Sequence, residues 1–203
     1  MIPKIIHQIW LGPKDPPMQW IETWKSAGCE YKLWTEKEIR DIYMHNQKIY
    51  DMYLERKVYH GAADIVRTEI LLQEGGIYID ADCERLKDIP IYLFEKCFFA
   101  VESPKRGDMW NYRVANGVIG CAKGESILKD YIEEISKLKK FYPPWRTVGG
   151  TTLTKVLLKH KDRTDIEILP SYMFYPVSLD GVVDPRSKDA ISTHYHGETK
   201  GLY

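Results

Sequence analysis

Little in this sequence settles its function by bulk properties. Its 203 residues include four cysteines, 14 glycines and 11 prolines. Cys29, Cys83, Cys97 and Cys121 lie far apart with no C-x-x-C pair, in apolar contexts that suit small buried hydrophobes, so free thiols are expected over a disulfide framework. The modest glycine and proline content excludes collagen-like and low-complexity chains, and 44% hydrophobic with 29% charged residues excludes disorder. Long apolar runs are missing too. No window reaches the roughly 18 uncharged residues of a membrane span, and the longest apolar stretch, Ile89 to Val101, is broken by Glu95 and Lys96. The opening MIPKIIHQIW lacks the apolar block of a secretory signal, so cytoplasmic residence is expected. Neither sign of charge dominates, with 29 basic and 29 acidic residues. No overall field therefore draws in nucleic acid or an anionic membrane, and function must rest on a local site. A Gly-rich phosphate loop and a serine nucleophile elbow are both absent, which leaves triphosphate hydrolysis and acyl transfer unsupported.

The length fits one domain, residues 1–203, with a sizeable core. Ile5, Ile6 and Ile9 predict a strand over 4–10, ended by Gly12, Pro13, Asp15, Pro16 and Pro17. A helix over 18–27 and a strand over 31–34 follow, and Thr35 with Glu38 forms a capping box that opens the next helix, carrying Ile39, Ile42 and Tyr43. Helices are expected over 46–58, 62–74, 125–141 and 151–159, with Gly75-Gly76 stopping the second. Strands are expected over 77–80, 97–102, 117–121, 166–169, 172–177 and 192–196. Strands alternating with helices make an α/β fold, in which ligands gather beyond the carboxyl ends of the strands.

Asp80-Ala81-Asp82 lies at such an end. With 14 aspartates in the chain, about one D-x-D triplet is expected by chance, so its context must carry the weight. Side chains i and i+2 of a strand share one face about 6.6 Å apart. Two carboxylates so placed suit Mg²⁺ or Mn²⁺ and leave coordination positions for phosphates. A solvated turn is the plain alternative. A calcium loop is excluded because Arg85 occupies its required glycine position. Asp64 and Arg67, at i and i+3, share one face of the preceding helix; their alternative role is a local salt bridge. His194 and His196, at i and i+2, can face one ligand together, the alternative being a solvated tail.

Residues 62–82, AADIVRTEILLQEGGIYIDAD, resemble the signature S/A-D-x-x-R-x-x-x-L-x-x-x-G-G-x-Y-x-D-x-D of DXD-type retaining sugar transferases, glycosyltransferase family 32. That family includes fungal mannosyltransferases and bacterial capsule and lipopolysaccharide enzymes, with the glucosylating bacterial toxins more distant. The opening IPKIIHQIWLG is similar to it as well. The resemblance implies a GT-A fold, a mixed central sheet flanked by helices, and a nucleotide-sugar donor with Mn²⁺ or Mg²⁺. It implies that Asp80 touches donor and metal and Asp82 is the principal metal ligand. It puts Asp64 and Arg67 on hydroxyls of the donor sugar, and Tyr78, Trp10 and Asn116 near the donor, Trp10 stacking on the nucleobase. Packing or turn roles stay open for these three. The ending resembles H-x-x-G-x-x-K at His194, Gly197 and Lys200, which would give His194 to the metal and Lys200 to the diphosphate, but lacks the closing tryptophan of the family's usual ending.

The expected activity is retaining transfer of a hexose, UDP-hexose favoured, to a saccharide or lipid-linked acceptor in bacterial surface polysaccharide synthesis. A non-catalytic nucleotide-sugar or glycan-binding module and a D-x-D phosphatase are the alternatives. Lys137, Lys139, Lys140, Phe141, Tyr142, Trp145 and Arg146 combine basic and aromatic residues, as a peripheral membrane contact near a lipid-linked acceptor would, or form an ordinary solvated face.

Overall fold

A run of β-branched residues forms β1 (Ile5–Ile9), whose residues from Ile6 onward are buried. Strands buried on both faces sit at the centre of α/β sheets, and β1 pairs in parallel with β2 (Glu30–Trp34) on one side and β3 (Gly76–Ile79) on the other. A computed structural model describes residues 1–103, 113–139 and 143–202. In it β3 pairs antiparallel with β6 (Val114–Cys121), β6 antiparallel with β5 (Cys97–Val101), and β5 in parallel with β7 (Ile166–Leu169). The sheet runs β2-β1-β3-β6-β5-β7, and a separate ribbon joins β4 (Cys83–Arg85) to β8 (Ser192–His194). The mixed sheet flanked by helices matches the expected α/β class.

The helices are α1 (Met18–Lys25), α2 (Glu36–Ile39), α3 (Gln47–Glu55), α4 (Tyr59–Glu74), α5 (Ser126–Ser136), α6 (Pro144–Thr147), α7 (Gly150–Lys159) and α8 (Gly197–Lys200). The largest apolar cluster packs α4, α5 and α7 against β6, around Ile65, Ile70, Tyr131, Leu128 and Leu153. Phe98, Phe174, Ile77 and Trp24 fill a second cluster. No helix among the described residues is long and apolar enough to cross a membrane.

The helix α4 ends where expected, because Gly75 and Gly76 take φ of +71° and +107°, conformations that side chains rarely adopt. Gly76 also leaves room for His7, whose Nε2 would lie 2.7 Å from a Cβ there. Trp34 Nε1 donates to His7 Nδ1 at 3.1 Å, so Nε2 carries the proton and donates to the Gly75 carbonyl at 2.8 Å. Burial holds the pKa of this ring down, and both of its nitrogens are satisfied while neutral.

Three expectations change. The capping box forms, but α2 is one turn long and Tyr43 is exposed beyond it. Residues 172–177 are no strand: a 3₁₀ turn covers Ser171–Met173, and Val177 makes one isolated bridge to Val183. Pro170 and Pro176 lack the amide that a sheet ladder needs. The expected strand 192–196 stops at His194, because His196 turns left-handed with φ of +55°. The four cysteines are free, with the sulfurs of Cys97 and Cys121 3.0 Å apart across β5 and β6.

Candidate active site

Beyond β3 the chain turns sharply. Asp80 N donates to Gly117 O at 2.9 Å, and Cys83 N closes the turn on Asp80 O at 3.0 Å. Gln8 Nε2 adds a 3.1 Å bond to the same carbonyl and is held in turn by the Tyr31 hydroxyl at 2.8 Å. Asp80 and Asp82 are therefore gathered by a turn, a correction to the strand spacing expected from the sequence, since β3 ends at Ile79. The ribbon then aligns Cys83 with His194. It sets His194 Nε2 at 3.0 Å from Asp82 Oδ1 and 3.7 Å from Asp80 Oδ2. Gly197 N donates to Asp82 Oδ2 at 2.7 Å. Burial works against charge on both partners, yet the pair wins: His194 and the Gly197 amide hold Asp82 well below the usual carboxylate range, and Asp82 lifts His194 above its usual value.

One face of α4 supplies the second half of the site. Arg67 Nη2 pairs with Asp64 Oδ1 at 2.9 Å and Asp80 Oδ1 at 3.2 Å, while Nη1 donates to the Asn116 carbonyl at 2.6 Å. Its guanidinium lies 4.4 Å from the centre of the Tyr78 ring, and the Tyr78 hydroxyl donates to Asp80 Oδ1 at 2.7 Å. Asn116 Nδ2 donates to Asp64 Oδ1 at 2.7 Å. Burial raises the pKa of Asp64, and Arg67 and Asn116 oppose that rise. The salt bridge weighed for Asp64 and Arg67 forms, and it belongs to a network that reaches the D-x-D turn.

These elements line one cleft of about 740 Å³. Trp10, Asp64, Arg67, Tyr78, Asp80, Asp82, Asn116 and His194 all face it, whereas Lys200 is exposed at the end of α8 and is not among its lining residues. Trp10 follows β1 and its Nε1 donates to Lys14 O at 2.7 Å. His196 also lines the cleft; burial pushes its pKa down to about 4, so its ring is neutral. Arg113, which also lines the cleft, pairs with Glu102, Nη2 to Oε1 at 2.6 Å, and lies 5.3 Å from the centre of the half-exposed Trp145 ring.

Asp82, Cys83 and His194 place one ligand atom each within 4.8 Å of one another. Cys83 is fully buried and its thiol is pushed well above its usual pKa by burial first and by the two aspartates after it, so it stays protonated. Mn²⁺ and Mg²⁺ prefer carboxylate oxygen to sulfur. Asp80 lies at 3.7 Å from the imidazole on the cleft side, and two carboxylates with one imidazole fit Mn²⁺ or Mg²⁺.

Sequence reasoning passed over several lining residues. Gly117 had a signal, since glycine inside a strand marks a close approach; a Cβ there would lie 2.2 Å from Asp80 Oδ2. Tyr175 had none, being one of 14 tyrosines. Of the proposed membrane patch, Lys137 pairs with Glu133 at 3.1 Å and Trp145 lines the cleft. Lys140, Phe141 and Tyr142 lie outside the described residues.

Residues 15–99 match the family described as "Glycosyltransferase sugar-binding region containing DXD motif". Inositol phosphoceramide mannosyltransferase 3 of Schizosaccharomyces pombe is 33% identical over 166 residues, 74% of this chain and 42% of that protein. The uncharacterized glycosyltransferase L373 of Acanthamoeba polyphaga mimivirus is 29% identical over 194 residues, 88% of this chain and 75% of the viral protein. The chain thus spans under half of the fungal relative. Two solved structures share the fold. PaToxG glycosyltransferase has a TM-score of 0.57 at 18% identity, covering 78% of this chain and 70% of that one. A glycosyltransferase involved in glycosylation of the major capsid of PBCV-1 has a TM-score of 0.53 at 15% identity, covering 98% of each chain. The architecture is the GT-A fold.

Proposed function

We propose a reaction from one premise: this chain belongs to the glycosyltransferases whose sugar-binding region contains a DXD motif. The reaction is transfer of a hexose from a nucleoside-diphosphate donor to a hydroxyl of a saccharide or lipid-linked acceptor, with retention of configuration. The observation that carries it is the convergence of Asp80, Asp82 and His194 with the Asp64–Arg67–Asn116 network on one cleft. A D-x-D phosphatase needs no buried polar pair on α4 joined to the D-x-D turn, and a non-catalytic nucleotide-sugar or glycan-binding module would bind a donor without releasing nucleoside diphosphate.

Asp82, His194 and Asp80 would hold a divalent cation, Mn²⁺ or Mg²⁺, which would neutralise charge developing on the departing nucleoside diphosphate. Arg67 and Asn116 fix Asp64 and Asp80, so that the carboxylate edges not engaged by the guanidinium can accept hydroxyls of the donor sugar. Tyr78 keeps Asp80 oriented by its 2.7 Å hydrogen bond. Trp10 and Lys14 line the cleft, Trp10 as the proposed wall for the nucleobase, and Trp145 and Arg113, which also line it, are the proposed contacts of the acceptor. Lys200 would reach the diphosphate from α8. Among the described residues the remaining carboxylate that lines the cleft, Glu102, is engaged by Arg113, which supports front-face attack with the donor phosphate taking the acceptor's proton.

UDP-hexose is the favoured donor, and the mannosyltransferase named among the relatives makes GDP-mannose the specific rival. Bacterial surface polysaccharide is the proposed destination of the sugar, made in the cytoplasm or at the inner face of the membrane. Release of nucleoside diphosphate from a panel of UDP-hexoses and GDP-mannose, with and without Mn²⁺, tests the proposal. Asp82→Asn should abolish Mn²⁺-dependent release; full activity in that variant would sink it.

A further inference from the structure

Among the described residues, three buried side-chain polar atoms have no hydrogen-bond partner: Tyr175 Oη, His194 Nδ1 and His196 Nε2. All three residues line the same cleft. Buried polar groups are nearly always paired, so three orphans on one wall call for a shared explanation. His194 is accounted for on its other nitrogen by the aspartates. Tyr175 has no such account.

Tyr175 is 2% exposed, embedded in the apolar cluster with Phe98, Phe174 and Met173, and it lines the cleft with its hydroxyl buried. The ring stands edge-on to His194, with centres 5.5 Å apart. Gly117 of β6 lets both groups approach the strand: a Cβ there would meet Tyr175 Oη at 2.8 Å and Asp80 Oδ2 at 2.2 Å. The phenol hydroxyl and the first carboxylate of the D-x-D turn thus pack against the same glycine. A phenol hydroxyl is a hydrogen-bond donor at neutral pH. Beside it, His196 is held in a left-handed conformation that presents its own unpaired Nε2. Strained backbone and unpaired buried groups gather where a structure is prepared for a ligand.

We propose that Tyr175 is a donor-binding residue whose hydroxyl is kept unpaired to donate a hydrogen bond to an oxygen of the bound nucleotide sugar, with Gly117 allowing that hydroxyl to sit beside Asp80. The inference rests on the proposed nucleotide-sugar reaction. The oxygen belongs either to a hexose hydroxyl or to the diphosphate.

The test is Tyr175→Phe, which keeps the ring and its packing and removes only the orphan oxygen. Calorimetric titration in Mn²⁺ compares UDP with UDP-glucose and GDP with GDP-mannose, and thermal unfolding is read on the same samples. The expected result is an unchanged or raised Tm with binding about tenfold weaker, about 1.4 kcal/mol. Loss for the nucleotide sugar alone puts the partner oxygen on the hexose; equal loss for the diphosphate puts it there. Both support the assignment. Unchanged affinity overturns it whatever happens to Tm, because a packing role moves Tm and leaves affinity alone. Wild-type protein that binds none of the four ligands would instead overturn the proposed reaction itself.

Discussion

Replacing Arg67 by methionine tests the network that ties α4 to the D-x-D turn. The guanidinium is buried, with 5% of its side chain exposed, against 10% for Asp64 and 23% for Asp80. Methionine fills similar volume, so little of the effect comes from a cavity. What remains is two carboxylates with their shared counter-charge gone, the Asn116 carbonyl without its 2.6 Å donor, and Tyr78 without its cation. Removing one partner of a buried ion pair costs about 3–5 kcal/mol. For a chain of this size each kcal/mol moves Tm by about 2–4 °C, so a drop of about 6–20 °C is expected. The pH dependence adds a signature. Without Arg67 the carboxyl group of Asp64, already raised by burial, takes a folded pKa further above its unfolded one. An acid so shifted binds more protons when folded, and stability falls as pH rises from the unfolded value through the folded one. The deficit relative to wild type should thus shrink at pH 5 compared with pH 7.5, and Asp64→Asn added to Arg67→Met should restore part of it. Differential scanning calorimetry at the two pH values measures this. A Tm within 1 °C of wild type at both would refute the account of Arg67 as the counter-charge of the site.

His194, lifted by Asp82 above its ordinary value of 6.5, must lose its proton before Nε2 can serve a cation, so Mn²⁺ affinity should fall as pH drops from 8 to 6. Paramagnetic titration of free Mn²⁺ reads this, and a flat profile would contradict it. In metal-free protein the His194 contribution to stability should be complete below 6.5 and fade as pH rises through the raised value, whereas the Asp82 contribution fades as pH falls below its ordinary 3.8. Gly117→Ala should cost about 1–3 kcal/mol by overpacking and remove most Mn²⁺-dependent release by displacing Asp80; an active, equally stable variant would show the close approach to be unnecessary. Gly76→Ala should lower Tm without changing nucleotide affinity in the folded fraction, since it combines φ of +107° with a Cβ 2.8 Å from the Ile5 carbonyl, far from the cleft.

Local signals carried much of the α/β order. The capping box at Thr35, the double glycine after Glu74 and the alternation of strands with helices depend on neighbours in sequence, and each appears in the structure. Asp64, Arg67 and Asp80 were legible because one helix face and the strand after it place them together. Three features escaped. β4 is three residues long and has no hydrophobic pattern; it exists because β8 pairs with it. The stretch 172–177 is apolar and aromatic like a strand, but Pro176 within it and Pro170 just before it lack the amide a ladder needs, and β7 ends the sheet. Tyr175 owes its interest to what surrounds its hydroxyl in space, and no spacing in the sequence encodes that.

The β4–β8 ribbon has a consequence for how the site comes into being. It joins strands of three residues each, with three paired positions, outside the main sheet. A two-stranded ribbon so short is marginal alone. Yet it carries His194, and the amide of Gly197 just beyond it reaches across 115 residues of sequence to Asp82. Fraying of β8 withdraws the imidazole and the amide from Asp82 in a single motion. The acidic centre and the fastening of the C-terminal segment therefore depend on the same few contacts.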